Sequence, residues 1–299
     1  MNDLIKVLTR STPLQLLLLN LMAFSLGAGI AHYFGSPLPL PVYAVGQSIS
    51  LALMYTAIYL REYFASFTQS TIYPPPMDRA TQLTRKALQS GLLITALGFA
   101  TLATTLVIIA SRMAVITPLT IVLLITGIIG VVLIVIPSIR MMESGAGEVI
   151  LAFLLVLITP ALAYSLAATE IHRYLLLISL ALTFMLVTTQ IISQFSTYAA
   201  DIQACRTNLL IRLGWQRTWH LHHVLLILAA VTLITAGIQG LPWSVLLPVA
   251  VTIPLAIWQV FLLSGMAAGK KPQWQIMRAI SLAIPGLTLY FITFMFWVK

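Results

Sequence analysis

Along the chain, apolar residues run in stretches of about twenty, interrupted by short clusters of basic residues, polar residues and proline. A helix needs about 20 mostly apolar residues to cross roughly 30 Å of hydrocarbon. Nine stretches reach that length, at about 14–34, 41–63, 87–110, 116–137, 149–168, 174–195, 221–239, 243–264 and 279–298. The pattern predicts an all-α membrane protein of nine transmembrane helices, with residues 1–299 forming a single transmembrane domain. The two longest connections, about 64–86 and 196–220, are four spans apart. That spacing hints at two similar four-helix halves and a final helix, although no sequence repeat marks them.

Composition sharpens this picture. The chain is 60% hydrophobic and 8% charged with a mean hydropathy of +1.01, where a soluble domain carries about 25% charged residues. A soluble enzyme, a disordered chain and a single-anchor protein are excluded. Charged residues are missing from the middles of the spans, which leaves no ion pathway for a transporter or channel.

The net charge of +9 comes from basic residues placed beside apolar spans. There they set topology, and they do not point to nucleic acid. With nine spans, thirteen Lys and Arg fall on the amino-terminal side and three, Arg112, Arg173 and Lys299, on the other. The expected orientation puts the amino terminus in the cytoplasm and the carboxy terminus outside a bacterial-type plasma membrane. The single cysteine, Cys205, excludes an internal disulfide and a cysteine-based metal cluster. No cleavable signal peptide is visible at the amino terminus.

Polar groups at the ends of spans 2 and 6 are the first candidates for function, because polar side chains at membrane depth usually face a bundle interior or a cavity. Span 2 ends Leu60-Arg61-Glu62-Tyr63-Phe64-Ala65-Ser66-Phe67-Thr68-Gln69. Span 6 ends Ser193-Gln194-Phe195-Ser196-Thr197-Tyr198-Ala199-Ala200-Asp201, followed by Asn208-Leu209-Leu210-Ile211-Arg212-Leu213-Gly214.

Both segments resemble the UbiA-type intramembrane prenyltransferases, particularly the dihydroxynaphthoate (menaquinone) branch. Its two motifs read approximately L-N-(D/E)-Y-F-D-x-x-x-D and N-E-F-x-D-x-x-x-D, the second followed by T-L-x-x-R-L-G. Gly145-Ala146-Gly147-Glu148 is similar to the family's G-x-G-E. Arg10-Ser11-Thr12-Pro13 with Gly27 and Gly29 is similar to its R-P…G-x-x-x-A opening. Motif order, span number and sidedness agree over essentially the whole chain. The resemblance implies a ring of nine helices around a central cavity. There, family members bind an isoprenyl diphosphate through Mg²⁺ held by two Asp-rich motifs, and an aromatic acceptor captures the allylic cation.

The sequence departs from that pattern at the ligands. Residues four apart share a helix face, so the metal ligands would stand at 61, 65 and 69 and at 193, 197 and 201. Here these are Arg61, Ala65 and Gln69, then Ser193, Thr197 and Asp201, with Gln194 replacing a further Glu. Only Glu62 and Asp201 remain of the pattern's principal carboxylates, and Glu62 points off the shared face by about 100°. Magnesium takes hard oxygen ligands, and a cation at position 61 repels it. No metal or other cofactor is expected, and Mg²⁺ enters only if the chain is a working transferase.

Several roles stay open for these residues. Arg61 pairs with Asp201 across the cavity mouth, contacts lipid headgroups, or grips a phosphate directly with Arg206 and Arg212, since guanidinium forks match phosphate oxygens. Asp201 is either an ion-pair partner or a remnant ligand. Glu148 favours a helix start or lines the cavity. His220, His222 and His223, next to Trp219, read as an interfacial anchor, and His32 and His172 as solvated residues of the outer face. Tyr73-Pro74-Pro75-Pro76 stiffens a connection.

Two functions follow from this resemblance. In the first, the protein has lost Mg-dependent transfer and binds an isoprenoid, quinone or pigment-type lipid, alone or as a subunit of a larger membrane complex. In the second, it is an active aromatic prenyltransferase with an arginine-rich diphosphate site.

Overall fold

The computed structural model describes residues 14–72, 79–136, 146–203 and 207–299, with side chains described outside 65–85. Among these residues, nine helices are long and apolar enough to cross a membrane. In chain order the first four are α1 (Leu14–Tyr33), α2 (Leu40–Ile72), α3 (Arg79–Arg112) and α4 (Pro118–Val135). Then come α5 (Ala146–Ser165), α6 (Arg173–Gln203), a five-residue α7 (Leu209–Leu213) and α8 (Trp215–Ile238). Last are α9 (Trp243–Ala267) and α10 (Trp274–Val298).

The number of crossings agrees with the hydrophobic pattern, but the helices overrun it. α2 and α3 extend into the connection read at 64–86, and α6, α7 and α8 fill most of 196–220. Hydropathy marks where hydrocarbon ends, whereas a helix continues into the polar layer as long as its i→i−4 bonds are made. The Tyr73–Pro76 segment lies outside the described residues.

Neighbouring helices trace a ring, α1–α2–α4–α5–α6–α8–α9–α10 and back to α1, with α3 packed on α2. Helix α6 is the most buried of the nine and α3 the least. Contacts of α1 with α5 and of α10 with α6 cross the ring, so its interior is filled on one side. The core there is made by Leu26, Ile30, Ile178, Leu182, Ile191 and Phe296, all buried.

Local chemistry sets the ends. Thr117 caps α4 in a box with Thr120, and Pro118 occupies the first turn, where its missing N–H costs nothing. Thr120 also donates to Ser165 Oγ at 3.0 Å, tying the start of α4 to the end of α5. The close approach of α1 to α5 depends on Gly27, where any Cβ would overlap the Pro160 carbonyl oxygen.

Two histidines, His222 and His172, depart from the sequence reading. His222 is fully buried on the inner face of α8, with Nε2 at 3.1 Å from Gln259 Nε2 of α9. Its helical neighbours Thr218, Ala229 and Leu233 are buried on the same face, and this periodicity turns it inward. His223 does face Trp219, accepting its Nε1–H at 3.2 Å. His172 is half-buried, stacked on Phe34 at 4.0 Å, and accepts the Tyr174 N–H at 3.3 Å. Burial, and then the neighbouring Arg173 charge, hold its imidazole below the usual range. His32 is exposed and stacks on Trp297 at 5.4 Å.

The His222–Gln259 pair joins α8 to α9, and His222 Nδ1 and Gln259 Oε1 have no further partner among the described residues. Gln259→Leu should therefore cost about 1–2 kcal/mol, because it strands a buried imidazole. The double change His222→Phe with Gln259→Leu should recover most of that loss. Unfolding midpoints in detergent micelles check this, and additive losses would contradict the pairing.

Candidate functional site

Four helices leave a gap on the side of the ring that is not filled. A cavity of about 110 Å³ lies between α1, α2, α4 and α5. Its wall is apolar: Leu53, Met54, Ile58, Val131, Leu151 and Ile158 dominate it. Four polar residues interrupt that wall, Asn20, Ser50, Thr159 and Arg61. Ser50, Leu53, Met54, Ala57, Ile58 and Arg61 recur every three or four residues and form one stripe of α2, as helical periodicity requires. Eleven residues separate Ser50 from Arg61, so the stripe is about 16 Å long at 1.5 Å per residue.

Arg61 stands at one end of the cavity and is exposed there. Glu62, one residue on, is half-buried and off the cavity wall, as its 100° offset predicts. Gln69 lies on α2 beyond the described side chains, and Arg206 lies outside the described residues.

At the same end, Glu148 in the first turn of α5 is buried. Arg61 is within electrostatic reach of its carboxylate. Gln194 of α6 is buried and donates Nε2–H to Glu148 Oε1 at 2.6 Å. The same side chain accepts the Leu210 N–H at 3.0 Å through Oε1, and Gln190 donates to the Glu148 carbonyl at 3.0 Å. Gln194 thus braces α5, α6 and α7 at once. Glu148 Oε2 is buried with no side-chain partner among the described residues, and the backbone N–H groups of Leu209 and of Glu148 itself are turned toward the carboxylate.

The second acidic segment has become a cradle for α7. Asp201 Oδ2 accepts from Thr197 Oγ1 at 2.7 Å and from Asn208 Nδ2 at 3.1 Å. Asn208 in turn caps α7, its Oδ1 accepting the Ile211 N–H at 2.9 Å. No ion pair joins Arg61 to Asp201 among the described residues; the carboxylate is taken by partners four and seven residues away on its own chain. Ser193 is exposed, and its carbonyl accepts the hydroxyl of Ser196 at 2.7 Å. Ser196 also accepts from Arg278 Nε of α10 at 2.9 Å. Arg212 is exposed on α7 and does not line the cavity.

A bracing role for Gln194 has a measurable consequence. Gln194→Leu strands the Glu148 carboxylate and the Leu210 N–H together, and should lower stability by about 2 kcal/mol in micelles. Gln194→Glu, which keeps the acceptor but adds a second carboxylate, should be destabilising at neutral pH and recover in acid. A flat pH response of that variant would contradict the contact.

Sequence reasoning missed the far end of the cavity. Asn20 Nδ2 donates to Ser50 Oγ at 2.9 Å, and Gln47 Nε2 donates to Asn20 Oδ1 at 3.1 Å. All three are buried. Each is a lone polar residue in an apolar run, and only the packing of α1 on α2 brings them together. The other missed feature had a signal, Pro160. Residues Leu154–Ile158 of α5 form a π turn, in which the Thr159 N–H bonds to the Leu154 carbonyl. Proline has no N–H to give the Leu155 carbonyl, so that oxygen has no donor along its own helix. Such π turns are frequent at functional sites.

Known structures place this architecture. No protein-family model matches the sequence, and no curated protein sequence matches it. Solved structures do, two among them being informative. One is described as a UbiA homologue from Archaeoglobus fulgidus bound to GPP and Mg²⁺, with a TM-score of 0.63 at 15% identity over 95% of this chain and 100% of that one. The other is described as a digeranylgeranylglyceryl phosphate synthase in membranes, with a TM-score of 0.61 at 13% identity over 94% of both chains. The chain has the UbiA fold. Its helices build the same framework as those intramembrane proteins, and the protein is an integral membrane protein of prenyltransferase-like architecture.

The described residues do not fit the magnesium that accompanies the first of those structures. Two ions on a diphosphate need several converging carboxylates. Here Arg61 occupies the cavity mouth, Asp201 Oδ2 is held by Thr197 and Asn208, and Glu148 is bound by Gln194. No three His, Cys, Asp or Glu side chains converge among the described residues.

Proposed function

We propose that the protein binds an isoprenoid amphiphile in the α1–α2–α4–α5 cavity, with its phosphate or other oxygen-rich head on Arg61, and carries out no Mg-dependent prenyl transfer. The observation that supports this most is Arg61 itself, a guanidinium at the open end of an otherwise apolar cavity. The wall solvates a hydrocarbon chain, and the guanidinium fork pairs with phosphate oxygens. The similar structure with GPP adds support for a prenyl-bearing ligand class in this fold. The distribution of basic residues supports a cytoplasmic amino terminus in a bacterial-type plasma membrane, with the Arg61 end facing the cytoplasm.

A working transferase is the competing reading, and one observation favours it. The buried Glu148 carboxylate stands within electrostatic reach of Arg61, and a carboxylate there is a candidate to take the proton of an aromatic acceptor. Diphosphate release separates the two readings. Protein in nanodiscs, given farnesyl diphosphate and a set of phenolic acceptors with and without Mg²⁺, should release none above a protein-free control. Acceptor-dependent release lost in Glu148→Gln would overturn the proposal.

A further inference from the structure

The far end of the cavity is polar where a hydrocarbon tail would end. Asn20 and Ser50 line it, close to the middle of α2, ten residues from Leu40 and fourteen from Phe64. At that depth an unpaired polar group has no water to turn to and is costly. Asn20, Gln47 and Ser50 satisfy one another only in part, because Gln47 Oε1 is buried with no partner among the described residues.

The adjoining wall adds an acceptor. The first and fifth crossings, α1 and α5, run in the same direction and meet at Gly27 and Pro160. The π turn precedes Pro160 in α5 and packs on α1. The Leu155 carbonyl, left without a helical donor, belongs to this same turn, and Leu155 lines the cavity. A buried acceptor on α2, Gln47 Oε1 beside Asn20, and another on α5 therefore lie next to one apolar cavity. Buried polar atoms are nearly always paired, and what both lack is a donor.

We infer that this floor of Asn20 and Ser50, backed by Gln47, is a recognition site for a hydroxyl at the tail end of the occupant. The inference rests on the reading that the cavity takes an isoprenoid amphiphile head-first at Arg61, and it narrows the ligand class. The favoured occupant is polar at both ends, with its two polar groups about 16 Å apart by the helical rise between Ser50 and Arg61. That is about the length of an extended farnesyl chain. A hydroxyl both donates and accepts, so it gives an open acceptor its missing hydrogen and takes one from an amide of the floor. An unmodified hydrocarbon terminus offers neither.

The test compares farnesyl phosphate with the same molecule hydroxylated at its terminal methyl group, titrated against the full chain in nanodiscs. The hydroxylated probe is expected to bind at least tenfold tighter. The double variant Asn20→Leu with Ser50→Ala should abolish that preference while binding the plain probe at least as well as the native chain does. Ser50→Ala alone, a smaller change that keeps the Asn20–Gln47 bond, should reduce the preference at least threefold, and its melting profile shows that it folds.

Equal binding of the two probes to the native chain would mean that water alone serves the floor, and would overturn the inference while leaving head-first binding intact. A preference that survives both variants would overturn it too. Failure of both probes to bind would overturn the reading beneath it and the inference together.

Discussion

Gly27→Ala should destabilise the protein by about 3 kcal/mol, more than any other single methyl group added to a described glycine. Adding bulk to a well-packed core costs about 1–3 kcal/mol when side chains can adjust. At Gly27 the obstacle is main chain: a Cβ meets the Pro160 carbonyl oxygen and lies 2.7 Å from its carbon and 2.8 Å from its Cα. No rotamer relieves that, so α1 and α5 must separate, and the cavity wall and the α1 side of its floor move with them. Gly98 is the control. Nothing lies within 4 Å of its Cβ position, and in a helix alanine is favoured over glycine by up to about 1 kcal/mol. Gly98→Ala should leave the unfolding midpoint unchanged or raise it. Equal behaviour of the two variants would contradict the packing described for α1 and α5.

Arg61→Leu should weaken binding of a phosphorylated isoprenoid about ten- to hundredfold. Hydrogen bonds to charged groups contribute about 1.5–3 kcal/mol each, and 1.4 kcal/mol is a factor of ten. Binding of the corresponding alcohol should change little, because it carries no charge for the guanidinium to pair with. Arg61→Lys should lie between, since an ammonium keeps the charge but loses the two-pronged geometry. Removing Arg61 also takes away the nearest cation described for Glu148. Double changes with Glu148→Gln distinguish loss of the head contact from a secondary effect of that carboxylate. Isothermal titration in nanodiscs reads all four variants, and equal affinity of Arg61→Leu and native protein for the phosphate would contradict the assignment.

Much of the fold was legible because membrane spans announce themselves by length and composition alone. The helix ends were not, because hydropathy is silent about how far a helix continues beyond the hydrocarbon, as α2 does to Ile72 and α6 to Gln203. Arg61 was legible as an anomaly in a motif, and the structure puts it on the cavity wall. Asp201 misled. Charge alone paired it with Arg61, but Thr197 and Asn208 reach it at the small entropic cost of short-range contacts. Gln194 looked like a lost carboxylate and is a strut between three helices. Asn20, Gln47 and Ser50 carry no periodic signal of their own; only a contact between helices, thirty residues apart in the case of Asn20 and Ser50, makes them a site. His222 could have been read inward from the buried stripe it shares with Thr218, Ala229 and Leu233.

The most direct test of head-first binding without a metal is the magnesium dependence of diphosphate affinity. Farnesyl diphosphate is titrated against native protein in nanodiscs, once with excess EDTA and once with millimolar Mg²⁺. Saturable binding of equal strength in both, weakened by Arg61→Leu, is the expected result. Binding that appears only with Mg²⁺ would contradict it and would mean that carboxylates converge on the ion after all.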